Sequence, residues 1–296
     1  MGLLGNRKPH IDVSDAVVVI SGGARGIGAA TAAEFARLGA TVWIGDVDAE
    51  VALTTAACLD NTFSAPLDVT DPASWTEFIE TVRQNHGGPD VLVNNAGVMP
   101  VGAFDRESQA TTDLMLDVNV AGVLNGMRAV LPGMLDAGRG HIVNVASMAG
   151  MIPLPGMVTY NASKYAALGA SLAARREYDG TGVSVSAILP AAVRTELASG
   201  AHLGGTLPTV DPDDVARAVV KTLRTRAART SVPEWVAPAW DLVDAFVPEF
   251  VERIARKIID DGRALALDAV ERTSYLSRID RQAAANAAHH DLRDAK

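Results

Sequence analysis

Short apolar runs and longer amphipathic ones alternate along this chain. Residues 16–20 (AVVVI) are continuously apolar and mostly β-branched, as suits a strand buried on both faces of a parallel sheet. Ser21-Gly22-Gly23 punctuates the run. Residues 26–38 then carry apolar positions at helical spacing, with Ile27, Ala30, Phe35 and Leu38 inward and Gly39 as the stop. A second strand is predicted at 41–46 (TVWIGD). Strand-like and helix-like runs continue at 62–67, 72–85, 90–94, 111–136, 141–146, 157–178 and 183–189. Such alternation predicts βαβ units and therefore an α/β, doubly wound parallel sheet with helices on both faces. No internal repeat or long linker breaks it, so one domain is predicted over 1–230. Residues 231–296 are predicted to be a C-terminal helical extension packed on the same domain.

Two stretches need partners. The helix at 111–136 is apolar almost all round (Leu114, Met115, Leu116, Val118, Val120, Val123, Leu124, Met127, Val130, Leu131), so it needs a neighbour besides the sheet. A subunit interface is one answer and the C-terminal segment another. After residue 231, Trp240, Val243, Phe246, Val247, Phe250, Val251 and Ile254 recur at helical spacing, with Pro238 and Pro248 at the turns. A helical pair packed on its own domain is the first reading. A lid over a bulky apolar substrate, a dimer contact or a membrane-surface element are the alternatives. Arg253, Arg256, Lys257 and Arg263 are mixed with Glu252, Asp260 and Asp261, so membrane-surface contact is not expected. The Ala-rich, polar residues 282–296 are expected to fray. His289 and His290 are adjacent, poor geometry for a helical metal site, and no metal is expected.

Composition narrows the function classes. Of 296 residues 48% are hydrophobic and 21% charged, a core-forming balance. The net charge of −9 argues against nucleic acid as a partner, because no basic excess is present to neutralise phosphates. The single cysteine, Cys58, excludes an intramolecular disulfide, favours a cytoplasmic setting, and is read as a small apolar filler. Met1 to Pro9 lack the apolar stretch of a secretory signal, and no run is expected to approach the length needed to span a bilayer.

The first candidate chemistry lies between the first strand and first helix. Ser21 to Gly28 read Ser-Gly-Gly-Ala-Arg-Gly-Ile-Gly. A tight turn and close approach of backbone to a pyrophosphate both call for glycine, and the following helix offers free N–H groups to phosphate oxygens. In this strand–loop–helix setting Gly22, Arg25, Gly26, Ile27 and Gly28 form a candidate dinucleotide site in a Rossmann-like fold, although the spacing is not the standard G-x-G-x-x-G. Asp46 ends the second strand eighteen residues after Gly28. A carboxylate there can accept both adenosine ribose hydroxyls and repels a 2′-phosphate, and Val47 after it supplies no cation. Both favour NAD over NADP. Arg25 is the contrary signal.

The second is Tyr160-Asn161-Ala162-Ser163-Lys164. On a helix, the phenol and the ammonium share one face. At ~4 Å and an effective dielectric near ~20 the cation is worth about 4 kcal/mol, roughly 3 pKa units, enough to draw a tyrosine from about 10 toward about 7. Such a phenol is a general base for an alcohol or a general acid for a carbonyl.

Together these motifs resemble the short-chain dehydrogenase/reductase family, of the compact single-domain kind, over roughly residues 14–200. Ser21 to Gly28 is similar to that family's glycine loop, Asp68-Val69 to its adenine-contacting pair, and Asn94-Asn95-Ala96-Gly97 to the stretch closing its fourth strand. Asn119 matches the family's catalytic asparagine. Ser147, thirteen residues before Tyr160, matches its catalytic serine, and Pro190 to Thr195, with Val193, its nicotinamide-contacting segment. The resemblance implies hydride transfer between a nicotinamide cofactor and a secondary alcohol or ketone. Tyr160 would exchange the hydroxyl proton and Lys164 would lower its pKa and hold the nicotinamide ribose. Ser147 would fix the reacting oxygen, and Asn119 would hold a water linking Lys164 to solvent. Asn95, Ala96 and Gly97 would line the cofactor.

Two departures stand out. Ala191 replaces the family's glycine after Pro190, and the family's usual C-terminal ending is missing. A homo-oligomer, dimer or tetramer, is expected; the missing ending puts the family's tetramer contact through the last strand in doubt, and a dimer through 111–136 and 157–178 is the other arrangement open to it. Residues 148–157 are apolar and Met-rich, and the loop from Glu196 to Pro208 carries Leu197, Leu203 and Leu207 with Gly200, Gly204 and Gly205 for mobility. Neither clusters basic residues, which points to a hydrophobic alcohol or ketone such as a steroid, terpenoid or fatty-chain compound. The alternatives are an NADP-dependent carbonyl reductase, a non-catalytic dinucleotide-binding regulator, and a membrane-surface protein.

Overall fold

The computed structural model describes residues 10–198, 208–247 and 269–294. In chain order, β1 (Val17–Ser21) leads into α1 (Gly26–Arg37), β2 (Thr41–Asp46), α2 (Ala49–Ala57), β3 (Thr62–Pro66), α3 (Pro72–His86) and β4 (Val91–Asn94). Then come α4 (Gln109–Leu116), a π turn (Asp117–Ala121), α5 (Gly122–Asp136), β5 (Gly140–Val145), α6 (Val158–Glu177) and β6 (Val183–Pro190). Two two-residue strands, β7 (Ala192–Val193) and β8 (Thr209–Val210), precede α7 (Pro212–Thr225), β9 (Arg229–Val232), α8 (Val236–Phe246) and α9 (Ala269–Asp294).

Seven strands form one sheet in the order β3-β2-β1-β4-β5-β6-β9, all parallel. The chain winds from β1 outward to β3, returns, and winds the other way from β4. The order therefore reverses between β1 and β4, and the crevice beyond their carboxyl ends is where such sheets take ligands.

Strand periodicity divides the core between the two faces. Val18, Ile20, Val42, Ile44, Val91 and Val143 point to one side, against Phe35 of α1 and Val215, Val219 and Leu223 of α7. Val17, Val19, Trp43, Leu92 and Ile142 point to the other, against Trp75 and Phe78 of α3 and Val123, Met127 and Val130 of α5. Burial on both faces explains why these strands read as unbroken apolar runs.

The structure departs from the sequence reading in several places. α1 buries Gly28, Thr31, Ala32, Phe35 and Ala36 rather than the stripe through Ala30 and Leu38, because it packs on α7 as well as on the sheet. α7 and β9 extend the wound unit through residue 232, and α2 joins β2 to β3. Cys58 is exposed at the end of α2, not a core filler. The helical stretch Gln109–Asp136 does have the length and hydropathy (1.3) of a membrane span, contrary to expectation. Half of its most apolar window is buried inside the fold, as befits a core helix. Part of its second neighbour is the C-terminal segment, since α9 packs along α4. α9 runs through residues 282–294 where fraying was expected, with Ile279 and Ala283 buried. In α8, Trp240 packs against Val236, Ala237 and Leu189 while Phe246 is exposed. Phe250, Val251, Ile254, Leu203, Leu207, Gly200, Gly204, Gly205 and the side chains of His289 and His290 lie outside the described residues.

Candidate active site

A cavity of about 520 Å³ opens at the carboxyl ends of β1, β4 and β5. It is lined by Gly22, Arg25, Gly26, Ile27, Asp46, Asp68, Val69, Asn95, Ala96, Gly97, Ser147, Tyr160, Lys164, Pro190, Val193 and Thr195. These are the candidate residues from the sequence except Gly28 and Asn119, which sit directly behind the wall.

The half of the cavity at the glycine loop, the candidate nucleotide half, is shaped by backbone. Gly22 has φ +65°, and a Cβ there would lie 2.7 Å from the Ala96 Cα. A Cβ on Gly28 would lie 2.1 Å from the Gly22 carbonyl oxygen, so Gly28 keeps α1 close to the loop. Asn95 ties the two strand ends together: its amide donates to the carbonyls of Ser21 (3.1 Å) and Gly22 (2.9 Å), while the Ser21 hydroxyl accepts from the Asn95 N–H at 3.1 Å. No side chain caps the N-terminus of α1, so its first-turn N–H groups face the cavity. Asp46 accepts from the N–H groups of Ala24 (3.1 Å) and Asp48 (3.0 Å). A carboxylate has about four acceptor sites, so Asp46 retains capacity for two hydroxyls. Arg25 is held by Asp48 at 2.7 Å. These features fit a nicotinamide dinucleotide: a glycine cradle and helix N-terminus for the pyrophosphate, and a carboxylate for the ribose. After β3, Asp68 also lines the cavity and accepts from the N–H (2.9 Å) and hydroxyl (2.7 Å) of Thr70. Thr195 lies against Gly26, bringing the segment after β6 to the glycine loop. Ala191 replaces glycine without strain, since Asn61 and Arg226 are the only non-glycine residues of positive φ among those described.

The chemical centre comes from β5 and α6. Ser147 follows β5 directly, and its hydroxyl accepts from the Ala149 N–H at 3.1 Å. Tyr160 and Lys164 lie one turn apart on α6, both buried, with the ammonium 5.7 Å from the centre of the phenol ring. Lys164 donates to the Val145 carbonyl at 3.2 Å. Burial pushes Tyr160 up to about 12, opposed by its hydrogen bond with Ser147, and pulls Lys164 down to about 8. The predicted depression of the phenol toward neutrality is therefore not found in the unliganded chain. Withdrawing a would-be phenolate from water outweighs what its hydrogen bond with Ser147 returns. Tyr160 stands here as a protonated acid.

Asn119 occupies the π turn, where the Gly122 N–H reaches back five residues to the Asp117 carbonyl. Its side chain exchanges two hydrogen bonds with the backbone of Val98, both 2.9 Å, and donates to the Ser163 hydroxyl at 3.0 Å. A Cβ on Gly97 would lie 3.2 Å from the Asn119 Oδ1 and 3.5 Å from the Lys164 Nζ. Asn119 thus braces the strand-end segment beside Lys164 without facing the cavity.

The other half of the cavity is apolar: Met99, Leu114, Val118, Leu154 and Met157, with Leu197 from the loop after β7. It also contains residues that the sequence reading missed. Tyr275, Arg278, Ile279, Gln282, Ala285 and Asn286 of α9 close it from above α4. Asn286 donates to Asp117 at 2.7 Å, and Arg278 pairs with Glu196 at 2.9 Å. The helical spacing of Tyr275, Ile279 and Ala283 was the available signal, obscured by the polar, alanine-rich surroundings.

Comparison with known proteins accords with this geometry. A family model described as short chain dehydrogenase matches residues 16–203. A 3-alpha-(or 20-beta)-hydroxysteroid dehydrogenase of Mycobacterium bovis is 37% identical over 182 residues, 61% of this chain and 70% of that protein. A 2,5-dichloro-2,5-cyclohexadiene-1,4-diol dehydrogenase of Sphingobium indicum is 37% identical over 185 residues, 61% of this chain and 74% of the other. The crystal structure of a 3-ketoacyl-(acyl-carrier-protein) reductase from Brucella melitensis, complexed with NADH, superposes with a TM-score of 0.70 at 26% identity, covering 74% of this chain and 97% of that one. With the parallel sheet, the glycine loop at its switch point and the Ser147–Tyr160–Lys164 cluster, these matches establish that the chain belongs to the short-chain dehydrogenase family of oxidoreductases.

Proposed function

We propose that this chain is an NAD-dependent oxidoreductase that interconverts a hydrophobic secondary alcohol and its ketone. The observation that carries the reading is the meeting of Ser147, Tyr160 and Lys164 with the Asp46-terminated nucleotide cradle on one cavity. When bound, the nicotinamide supplies the hydride acceptor or donor. The chain's residues handle the oxygen and its proton. A ketone oxygen placed beside Tyr160 receives the phenolic proton as negative charge develops on it, and the Ser147 hydroxyl fixes the position of that oxygen. In the reverse direction Tyr160 must first give up its own proton, and the phenolate then takes the proton from the alcohol. Lys164, next to the phenol, favours the deprotonated ring through its charge, and Asn119 keeps the Val98 backbone in place beside it.

NAD is favoured over NADP because two carboxylates, Asp46 and Asp48, stand beside the glycine loop and Arg25, a cation lining the cavity there, is bound to Asp48. An apolar substrate is supported by the lining of Met99, Leu114, Leu154 and Met157, and by relatives named for steroid and cyclic diol substrates. Leu135, Val158 and Tyr165 remain exposed on α5 and α6, which supports pairing of two copies through those helices. A reducing, cytoplasmic setting suits the exposed thiol of Cys58. The test is a panel of steroid, terpenoid and cyclic secondary alcohols with NAD and NADP, followed at the absorbance of the reduced nicotinamide. Turnover with a higher kcat/KM for NAD is expected. No turnover of any alcohol or ketone, or a preference for NADP, would overturn the corresponding part of the reading.

A further inference from the structure

α9 brings a second buried phenol to the cavity. Tyr275 is 1% exposed and packs in one cluster with Tyr160, Met99, Leu114, Met157 and Ile279. Its oxygen accepts a hydrogen bond from the Met99 N–H at 2.7 Å. One turn earlier, Arg272 donates to the Met99 carbonyl at 2.9 Å, so α9 holds both polar backbone groups of that residue. The guanidinium carbons of Arg272 and Arg278 lie 4.8 Å and 5.5 Å from the centre of the Tyr275 ring. The ring and its oxygen are thereby fixed in place.

The hydroxyl proton is left over. A phenol accepts and also donates. Met99 fills the accepting role, and among the described residues no group accepts the Tyr275 proton. Burial pushes this phenol up to about 12, so the proton stays on at neutral pH. A buried donor with no acceptor is costly, and Tyr275 lines the cavity, where a ligand atom can supply the acceptor. The reacting oxygen is not that atom if Tyr160 and Ser147 serve it, because a carbonyl has two lone pairs.

We propose that Tyr275 is a substrate-binding residue whose hydroxyl donates a hydrogen bond to a second oxygen of the substrate, away from the reacting carbon. The substrate class is then a diol, hydroxyketone or hydroxy-ether on an otherwise apolar skeleton. The inference rests on the proposed oxidoreductase reading and narrows it.

The experiment compares cyclohexanol with 1,2-, 1,3- and 1,4-cyclohexanediol and their monomethyl ethers, using NAD and both wild type and Tyr275→Phe. Wild type is expected to favour at least one diol over cyclohexanol by about tenfold in kcat/KM, the size of one hydrogen bond's discrimination. The matching monomethyl ether should keep that advantage, since an ether oxygen still accepts. Tyr275→Phe should erase the advantage through KM, so that the diol falls to the level of cyclohexanol measured in the same variant. A wild type with no diol preference, an ether that falls to the level of cyclohexanol, or a phenylalanine variant that keeps the preference overturns the inference. The ether comparison needs only the wild type, so it can overturn the inference even if the variant does not fold. Absence of turnover of every alcohol with either nucleotide overturns the oxidoreductase reading, and the inference with it.

Discussion

The two halves of the cavity are built by different means. The nucleotide half uses main chain: positive-φ glycine at Gly22, the first-turn N–H groups of α1, strand ends joined by Asn95, and one carboxylate at the end of β2. The substrate half uses side chains from segments far apart in sequence, with Met99 held by Arg272 and Tyr275 from residues 173 and 176 positions away. Backbone geometry tolerates few residue types and so leaves short, fixed spacings. A wall of interchangeable apolar side chains tolerates many and leaves no motif.

The sharpest way to break this comparison is at the seam between the halves. Tyr160→Phe should lower kcat by about 1,000-fold, the scale of lost general acid–base catalysis, while NADH affinity stays near wild type. Near-full turnover in that variant would remove Tyr160 from the chemistry. On the nucleotide side alone, Gly22→Val forces a branched side chain into a left-handed position with its Cβ 2.7 Å from backbone. The expected cost is about 2–4 kcal/mol of stability with loss of NADH binding, read by thermal unfolding and fluorescence titration. Wild-type values for both would show that the close approach of loop to Ala96 is not needed.

Lys164→Met separates function from stability. Burial lowers the lysine from 10.5 to about 8, so the folded chain binds the proton less tightly than the unfolded one. The penalty is full below about pH 8 and vanishes as pH rises to about 10.5; its size is about 3 kcal/mol. Removing the Val145 carbonyl's partner returns about 1 kcal/mol. The variant should therefore be inactive yet about 2 kcal/mol more stable at pH 7, with the advantage shrinking as the pH is raised. A variant less stable than wild type at pH 7 would contradict the burial argument. Arg25→Ala should have the smallest effect: under about 1 kcal/mol in stability, and a change below about threefold in the ratio of kcat/KM for NAD to that for NADP, because Asp48 already occupies the guanidinium. A large rise in that ratio would mean that Arg25 reads a 2′-phosphate.

The same contrast governs what the sequence revealed. The strands buried on both faces were readable as apolar runs, and Gly22, Gly26, Asp46, Ser147, Tyr160 and Lys164 as fixed spacings. α7 was missed although its N-terminus carries a capping box between Asp211 and Asp214. α9 was misread because its inward apolar residues, Tyr275, Ile279 and Ala283 with Leu276 partly buried, are spread among polar and alanine positions, and Arg272, buried beside them, looks like a surface residue in a list of letters. The charge state of Tyr160 was misjudged because the spacing gives the attraction between two groups and not the cost of drying them.

The clamp on Met99 also sets an order of events during synthesis. Every nucleotide-facing residue has been made once Thr195 is joined, whereas Asn286 follows about 90 residues later. At roughly 5–20 residues per second, the ribosome takes about 5–20 s to cover that interval. The growing chain can assemble its glycine cradle during that time, with Met99 and the face of α4 still uncovered. The arrival of α9 then completes the wall of the cavity.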